Sequence, residues 1–292
     1  ILSWQVTAVS LSAAIALEEP DHVPLWCLWS YDQDPYNRRD ERARIRATQA
    51  LGMDDTLWLH APWRLSPEVE VSAWVEQVPG ADYALMHKHY ETPAGAADHT
   101  LRSSEYLSRP EDFGIVGDLN MSHGVKFLVE ERKDLEVLRY LLGDPDNEQL
   151  AQFREQARAY RQFAAEQQIL LEGAYVSLGD TATWLMGPQN LIYAFQDDPV
   201  FIEELLEIIW RWHERQIEIL LDEKVDIILH RGWYELPDFW GVNAYRRFLK
   251  PLLKKEAAMV HQAGAKFSYI MTKGIMPLLD DFLEIGIDVL WG

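Results

Sequence analysis

The chain has 292 residues, of which 48% are hydrophobic and 25% are charged, proportions typical of a globular protein. Its 47 acidic residues outnumber its 27 basic ones, which gives a formal net charge of −20. Nucleic acids and anionic membranes are bound largely through Lys and Arg, so this charge argues against both as partners. No apolar segment reaches the roughly 18 residues that would indicate a membrane-spanning helix.

The sequence contains one cysteine, Cys27, which excludes an internal disulfide framework and a metal site made of several cysteines. The N-terminal segment has no basic residues ahead of its apolar stretch, so it does not have the pattern of a secretory signal peptide. We therefore expect a reducing, cytoplasmic environment.

Short apolar segments alternate with amphipathic ones along most of the chain. Strands are predicted at 22–29, 55–62, 169–177, 225–230, 265–271 and 287–292. Helices are predicted at 38–51, 146–168, 199–223, 243–263 and 275–286. Asp198 is the expected N-cap of the third helix, with Pro199 at its first position. Gly264 and Gly286 are expected to end the last two helices.

Residues 68–130 interrupt this alternation with short strand-like segments and turns, including a Pro-Ala-Gly turn signal at 93–95. The alternation elsewhere indicates parallel βαβ units. Six strands fit either an open doubly wound sheet or part of an eight-stranded barrel. No glycine-rich phosphate-binding segment follows the first strand, which weighs against a dinucleotide-binding sheet.

Five segments of the sequence are similar to one known superfamily: AAIALEEPDHVPLW, YETPAG, WLMGPQNLIYAFQDDPVFIEELL, YRRFLKPLLKKEAAMVHQAGAKF and GIMPLLDDFLEIGIDVLWG. They resemble the uroporphyrinogen decarboxylase and cobalamin-dependent methyltransferase superfamily. The resemblance implies one (β/α)8 TIM-barrel domain over 1–292, with an insertion at about 68–130 after the second strand. It also implies an active site at the C-terminal ends of the strands and a chain that ends before the last two βα units.

Within the superfamily, the chain is closer to the methyltransferases than to the decarboxylases. The decarboxylases carry a basic Arg-Gln-Ala-Gly-Arg segment after the first strand and a catalytic Asp after the second. This chain has WSYDQDPYNRR and Leu59-His60-Ala61 at those places. The methyltransferases commonly hold zinc with His-x-Cys after the fifth strand, where this chain has Ile270 and Thr272. That zinc site is therefore absent in its usual form.

The segment LHRGWYELPDFW (229–240) follows the fourth strand and is the most suggestive loop. His230, Glu235 and Asp238 are residue types that bind zinc or another divalent ion, and His230 and Glu235 are also candidate catalytic groups. The alternative is that His230 and Arg231 pair with nearby acidic side chains.

Other candidates lie near the ends of the second and fifth strands. His60 could be a general base, a substrate contact or a structural histidine. Lys273 could stabilise a negatively charged oxygen of the substrate or of the leaving group. Expected substrate contacts are Trp29, Tyr31, Trp233, Tyr269 and Thr272. For each of these, the alternative is that the side chain only fills space.

These features, together with the resemblance, predict a methyltransferase. It would move a methyl group from a small donor, such as a methoxylated aromatic compound, to a corrinoid carried by a separate partner protein. A zinc ion near His230 and Glu235 would activate the leaving atom. Two alternatives stay open, a decarboxylase and a non-catalytic barrel that binds a small ligand. We also consider a homodimer.

Overall fold

The computed structural model describes residues 8–25 and 41–291. The strands of this part of the chain are β1 (Thr56–Leu59), β2 (Glu70–Gln77), β3 (Ala84–Thr92), β4 (Gly95–Arg102), β5 (Gly124–Lys126), β6 (Leu170–Val176), β7 (Ile227–Arg231), β8 (Lys266–Ile270) and β9 (Val289–Trp291).

The helices are α1 (Ala8–Ile15), α2 (Glu41–Ala50), α3 (Asp118–His123), α4 (Asp134–Leu141), α5 (Asn147–Gln167), α6 (Gly179–Met186), α7 (Pro188–Asp197), α8 (Pro199–Asp222), α9 (Pro237–Trp240), α10 (Val242–Ala244), α11 (Lys250–Gln262) and α12 (Leu279–Ile285). A π-helical turn, Tyr245–Leu249, joins α10 to α11. Short 3-10 helices lie at Pro110–Asp112 and Met276–Leu278. Within the described ranges, no helix is both long and apolar enough to cross a membrane.

Five parallel strands form the central sheet, in the spatial order β1-β6-β7-β8-β9. Each strand therefore pairs with the next parallel strand along the chain, and the order never reverses. A doubly wound sheet contains such a reversal, whereas a (β/α)8 barrel does not. The sheet is thus compatible with part of a TIM-like fold. Over the described residues β1 and β9 remain at its two edges, so the predicted closed barrel is not observed.

A second sheet, antiparallel and in the order β2-β3-β4-β5, lies between β1 and β6 in the sequence. The short strands predicted within 68–130 are therefore present. At the predicted turn, the Thr92 hydroxyl donates to the Gly95 carbonyl at 2.8 Å, and Gly95 has a φ of +129° that favours glycine. That this segment is an insertion into a single domain stays a prediction.

Most predicted elements are confirmed to within a few residues. The Asp198 side chain accepts a hydrogen bond from the Phe201 N–H and caps α8, as expected. Gly264 and Gly286, with φ values of +82° and +91°, follow α11 and α12. The strand predicted at 22–29 is not confirmed: residues 22–25 are not in a strand, and 26–29 lie outside the described residues.

Side chains of the parallel sheet alternate between two faces, because successive residues of a strand point in opposite directions. We call the face that packs against α8, α11 and α12 the outer face. Gly173 of β6 belongs to it, and a Cβ there would lie 2.8 Å from Ile228 Cδ1 and 3.0 Å from Leu220 Cδ1 of α8. Glycine thus allows the long helix to pack closely on the sheet. The opposite, inner face carries Trp58 and Glu172.

The alternation separates two consecutive residues of β7. His230 is paired with Tyr269 of β8 and shares the outer face with it, whereas Arg231 is paired with Ile270 and belongs to the inner face. Contacts agree with this assignment, since His230 reaches Glu256 of α11. The loop predicted to form one site therefore contributes to both sides of the sheet.

Candidate functional site

The outer face holds a buried polar cluster, which we call the His230 cluster: His230, Glu235, Glu256 and Tyr269. None of its side chains is more than 1% exposed. The two nitrogens of His230, Nδ1 and Nε2, lie 2.7 Å from Glu256 Oε2 and 3.1 Å from Glu235 Oε1. The Tyr269 hydroxyl donates to Glu235 Oε2 at 2.6 Å. The His230 imidazole of β7 therefore bonds to helix α11 and to the loop after β7, and through Glu235 of that loop the cluster also includes Tyr269 of β8.

The protons of this cluster follow from its hydrogen bonds. Burial opposes a charge on His230, but Glu256 and Glu235 outweigh it and raise the pKa of the imidazole to about 10. Burial would also raise the pKa of Glu235, but His230 and several donors hold it below its ordinary value. Burial raises the pKa of Glu256, whose Oε1 has no partner among the described residues. The stable arrangement is an imidazolium paired with the Glu235 carboxylate.

Helix α6 begins directly against this carboxylate. The Gly179 N–H donates to Glu235 Oε1 at 2.6 Å and the Leu178 N–H at 3.3 Å, an arrangement that suits an anion at a helix N-terminus. A Cβ at Gly179 would lie 2.6 Å from Glu235 Cγ, so the close approach requires glycine. The cluster thus fixes the start of α6, and its side chains are closed off from solvent.

The three residues predicted to hold a metal are not brought together. Asp238 Oδ2 lies 3.1 Å from Lys273 Nζ, and both side chains are about two-thirds exposed (65% and 64%). His230 and Glu235 are fully buried, and both nitrogens of His230 are engaged. Across residues 8–25 and 41–291, no group of three or more His, Cys, Asp or Glu could hold a metal ion. The predicted zinc ligands therefore do not fit a metal.

The inner side of the sheet carries a second polar group, which we call the Arg231 site: Arg231, Asp180, Asp118, Trp184, Trp233 and Tyr234. Arg231 Nη1 donates to Asp180 Oδ2 at 2.6 Å. Its Nη2 lies 2.8 and 2.9 Å from the two carboxylate oxygens of Asp118. Rings of three aromatic residues pack near the guanidinium, with centroids 4.1 Å (Trp233), 5.0 Å (Trp184) and 5.6 Å (Tyr234) from Cζ.

Three segments build the Arg231 site. Asp180 comes from α6, just beyond the C-terminal end of β6, and accepts backbone N–H groups from Tyr234 (2.6 Å) and Trp233 (3.2 Å). Asp118 is the first residue of α3, after Gly117, whose φ of +141° favours glycine. Trp233 was predicted as a substrate contact and lies in this site. Asp180 could have been predicted from its place after a strand, but the sequence carries no signal for Asp118.

His60 follows β1 and remains accessible to solvent, although protein atoms surround it closely. This desolvation lowers the pKa of its imidazole, although Glu41 and a backbone hydrogen bond with Ala174 favour the charged form. The neutral form of the His60 imidazole is therefore favoured, and its side chain is exposed to solvent. Thr272 is exposed beyond β8, and Trp29 and Tyr31 lie outside the described residues.

Glu172 is a buried carboxyl group on the inner face. Its Oε2 accepts hydrogen bonds from the Thr56 hydroxyl and from Trp58 Nε1, while Oε1 has no partner within the described part of the chain. Burial raises the pKa of Glu172 to about 7, despite these two donors. The sequence offered a signal that the prediction missed, because a glutamate stands inside the apolar segment ILLEGAYVS.

Comparisons with known proteins place the fold but not the family. No protein-family model matches the chain, and no curated protein matches it. Among solved structures, a methyltransferase from Methanosarcina mazei is similar with a TM-score of 0.51 and 16% identity, over 97% of this chain and 75% of that one. A mandelate racemase/muconate lactonizing enzyme-like protein from Rubrobacter xylanophilus reaches a TM-score of only 0.19 at 11% identity, over 78% and 87% of the two chains. The chain therefore has a fold similar to that of a methyltransferase.

Proposed function

We propose that the chain is a methyltransferase that moves a methyl group from a small donor to a reduced corrinoid carried by a partner protein. The similarity of nearly the whole chain to a methyltransferase fold carries this proposal. The corrinoid and its partner protein come from the resemblance of the sequence to the cobalamin-dependent branch. In a TIM-like fold, reactants bind at the C-terminal ends of the strands, where His60 and the Arg231 site lie.

In this reaction the bond between the methyl carbon and the oxygen or nitrogen of the donor breaks, and the methyl group bonds to the corrinoid. The leaving atom becomes more basic and needs a hydrogen-bond donor or a proton. His60 is exposed near the strand ends and its neutral imidazole carries one N–H, so we assign this N–H the hydrogen bond to the leaving atom, which takes its proton from solvent. Within the described residues, those predicted to bind zinc (His230, Glu235 and Asp238) form no metal-binding group among themselves, with His60 or with the Arg231 site. We therefore assign no step of the reaction to zinc.

A decarboxylase acting on a substrate with many carboxylates is less well supported. Such a substrate needs several cations that are free of other partners. Arg231 is already paired with Asp118 and Asp180, and Lys273 is paired with Asp238. These acidic partners would repel additional carboxylates.

Methyl transfer can be tested directly by mixing the protein with reduced cobalamin and a panel of donors that includes methoxylated aromatics and methylamines. Formation of the methylated corrinoid, followed by absorbance, is the expected result. His60→Ala should lower the rate by about 10- to 100-fold, the range expected for loss of one hydrogen bond to an atom that gains negative charge. His261→Ala, at the ion pair between His261 and Asp288, is the matched control and should leave the rate unchanged.

Each other outcome contradicts the proposal in a recognisable way. Release of carbon dioxide from an acid substrate without methyl transfer would indicate a decarboxylase. Binding of donors without any turnover would indicate a barrel that only binds a ligand. We further propose that the chain forms a homodimer, which a dimer in solution would support and a monomer would contradict without affecting the proposed reaction.

A further inference from the structure

The two carboxylates that pair with Arg231 are held very differently. The Asp180 side chain is fully buried and is fixed by the backbone N–H groups of Trp233 and Tyr234. The Asp118 side chain is 51% exposed, whereas that of Arg231 is only 6% exposed. The Asp118 carboxylate accepts hydrogen bonds from Arg231 Nη2 and from the Tyr234 hydroxyl, which lies 2.8 Å away. Asp118 is therefore the partner of Arg231 that solvent and a ligand can reach, while Asp180 is held inside the protein.

The same site contains buried donors that lack acceptors. The indole N–H groups of Trp184 and Trp233 are both buried and have no hydrogen-bond partner among the described residues. Trp184 is itself only 9% exposed. A buried donor without an acceptor costs free energy, so the site gains from a ligand that brings additional acceptor oxygens. Neither Asp118 nor Asp180 accepts a hydrogen bond from these two indole N–H groups.

We propose that the Arg231 site binds an aromatic carboxylate, whose carboxylate group displaces Asp118 from Arg231 Nη2 and from the Tyr234 hydroxyl. The exchange replaces one anion by another, so the charge of the site does not change. Trp233, which is partly exposed beside Arg231, supplies the aromatic side chain against which the ring of the ligand packs. Resting on the proposed function, this ligand is the methyl donor, and the donor class becomes an aromatic acid.

The displacement makes an unusual prediction about Asp118. As long as Asp118 occupies Arg231, it competes with the ligand and reduces the fraction of protein that can bind. Asp118→Ala should therefore bind the ligand more tightly than the wild-type protein does, by about tenfold. A residue that contributed to the site in the ordinary way would weaken binding when removed.

The experiment is a calorimetric titration of the full chain with benzoate, and with benzamide as the uncharged counterpart. The wild-type protein should prefer benzoate, and Asp118→Ala should increase benzoate affinity without changing that of benzamide. In the Asp118→Ala protein, where the Tyr234 hydroxyl no longer has Asp118 as a partner, Tyr234→Phe should weaken benzoate binding about tenfold to a hundredfold, as expected for the loss of one hydrogen bond to a charged group. Asp98→Ala, which removes a half-exposed partner of Lys126 and His89, is the control and should change neither.

Equal affinity for benzoate and benzamide, or unchanged or weaker benzoate binding by a folded Asp118→Ala protein, would overturn the inference. So would the absence of benzoate binding by both proteins. These readings are independent of catalysis. Methyl transfer from neutral donors, without any response to benzoate, would overturn the inference and leave the proposed function standing. Benzoate binding of the expected kind, without methyl transfer from any donor, would do the reverse.

Discussion

The protein should lose stability between about pH 6.5 and pH 10 because of His230. In the folded chain this imidazole has a pKa of about 10, well above its ordinary value of 6.5. A pKa that is raised by folding stabilises the folded state fully below the unfolded value. That contribution disappears as the pH rises through the folded value. Glu235 and Glu256 then face each other across a neutral ring.

The size of the effect follows from the two pKa values. At about 1.4 kcal/mol for each pH unit between them, the contribution of His230 approaches about 4 to 5 kcal/mol. Domains are typically stable by only about 5–15 kcal/mol, so the change would be a large fraction of the total. Removing the charge by mutation should cost a similar amount, because breaking a buried ion pair costs about 3–5 kcal/mol.

The assay is urea denaturation of the wild-type protein and of His230→Gln at several pH values from 6.5 to 10. The variant should be less stable by about 3–5 kcal/mol near pH 6.5, and the difference should shrink toward pH 10. His213→Gln is the matched control. Burial first, and then the charge of His230, lower the pKa of His213 to about 3, so its contribution is lost at acid pH instead. Parallel pH profiles for wild type and His230→Gln would refute an imidazolium at this position.

Three further changes test other parts of the molecule. Glu172→Gln should stabilise the protein by about 2–3 kcal/mol at pH 8 and by much less at pH 4.5. The reason is that folding raises the pKa of this carboxyl to about 7, so its ionisation opposes the folded state. Thermal melts at the two pH values would show the difference, and equal shifts in melting temperature at both would contradict it. Gly179→Ala should lower the free energy of unfolding by about 1–3 kcal/mol in urea denaturation, since the Cβ of the new alanine would meet the Glu235 side chain. An unchanged midpoint would mean that α6 can shift without cost. Lys273→Ala should change stability by less than about 1 kcal/mol, because its ion pair with Asp238 is exposed, and a larger loss would reveal a tighter pair than the geometry indicates.

The order of strands and helices could be predicted from the sequence because it depends on local signals. Periodicity placed the parallel strands from 55 onward, and residues such as Asp198 and Gly264 marked where helices begin and end. Closure of the sheet is not a local property, since it depends on how strands far apart in the sequence pair. The barrel was therefore predicted from resemblance, and the described strands show only a sheet in barrel order.

The candidate site was harder to predict, because the residue types were informative but their positions in space were not. Histidine is a residue type that often binds metals or acts as a base, yet His230 points to the outer face, whereas the next residue, Arg231, points to the inner face. Alternation along β7 puts His230 and Arg231 on opposite faces, but which of the two residues faces the helices depends on packing between distant segments. Asp118 stands 113 residues before Arg231, and Glu256 lies on a helix whose facing side depends on packing.

The arrangement of His230 and Arg231 has a consequence for how this protein can change over evolutionary time. These two neighbours in the sequence lie in separate sites: His230 in the buried cluster and Arg231 in the proposed ligand site. If Arg231 binds a ligand, substitutions around it can alter ligand preference while the buried cluster keeps its own contacts. Deletion or insertion of a single residue in β7 would move each side chain to the opposite face of the sheet, and both sites would be disrupted together. Diversification at this strand is thus open to replacement of residues but closed to changes in length.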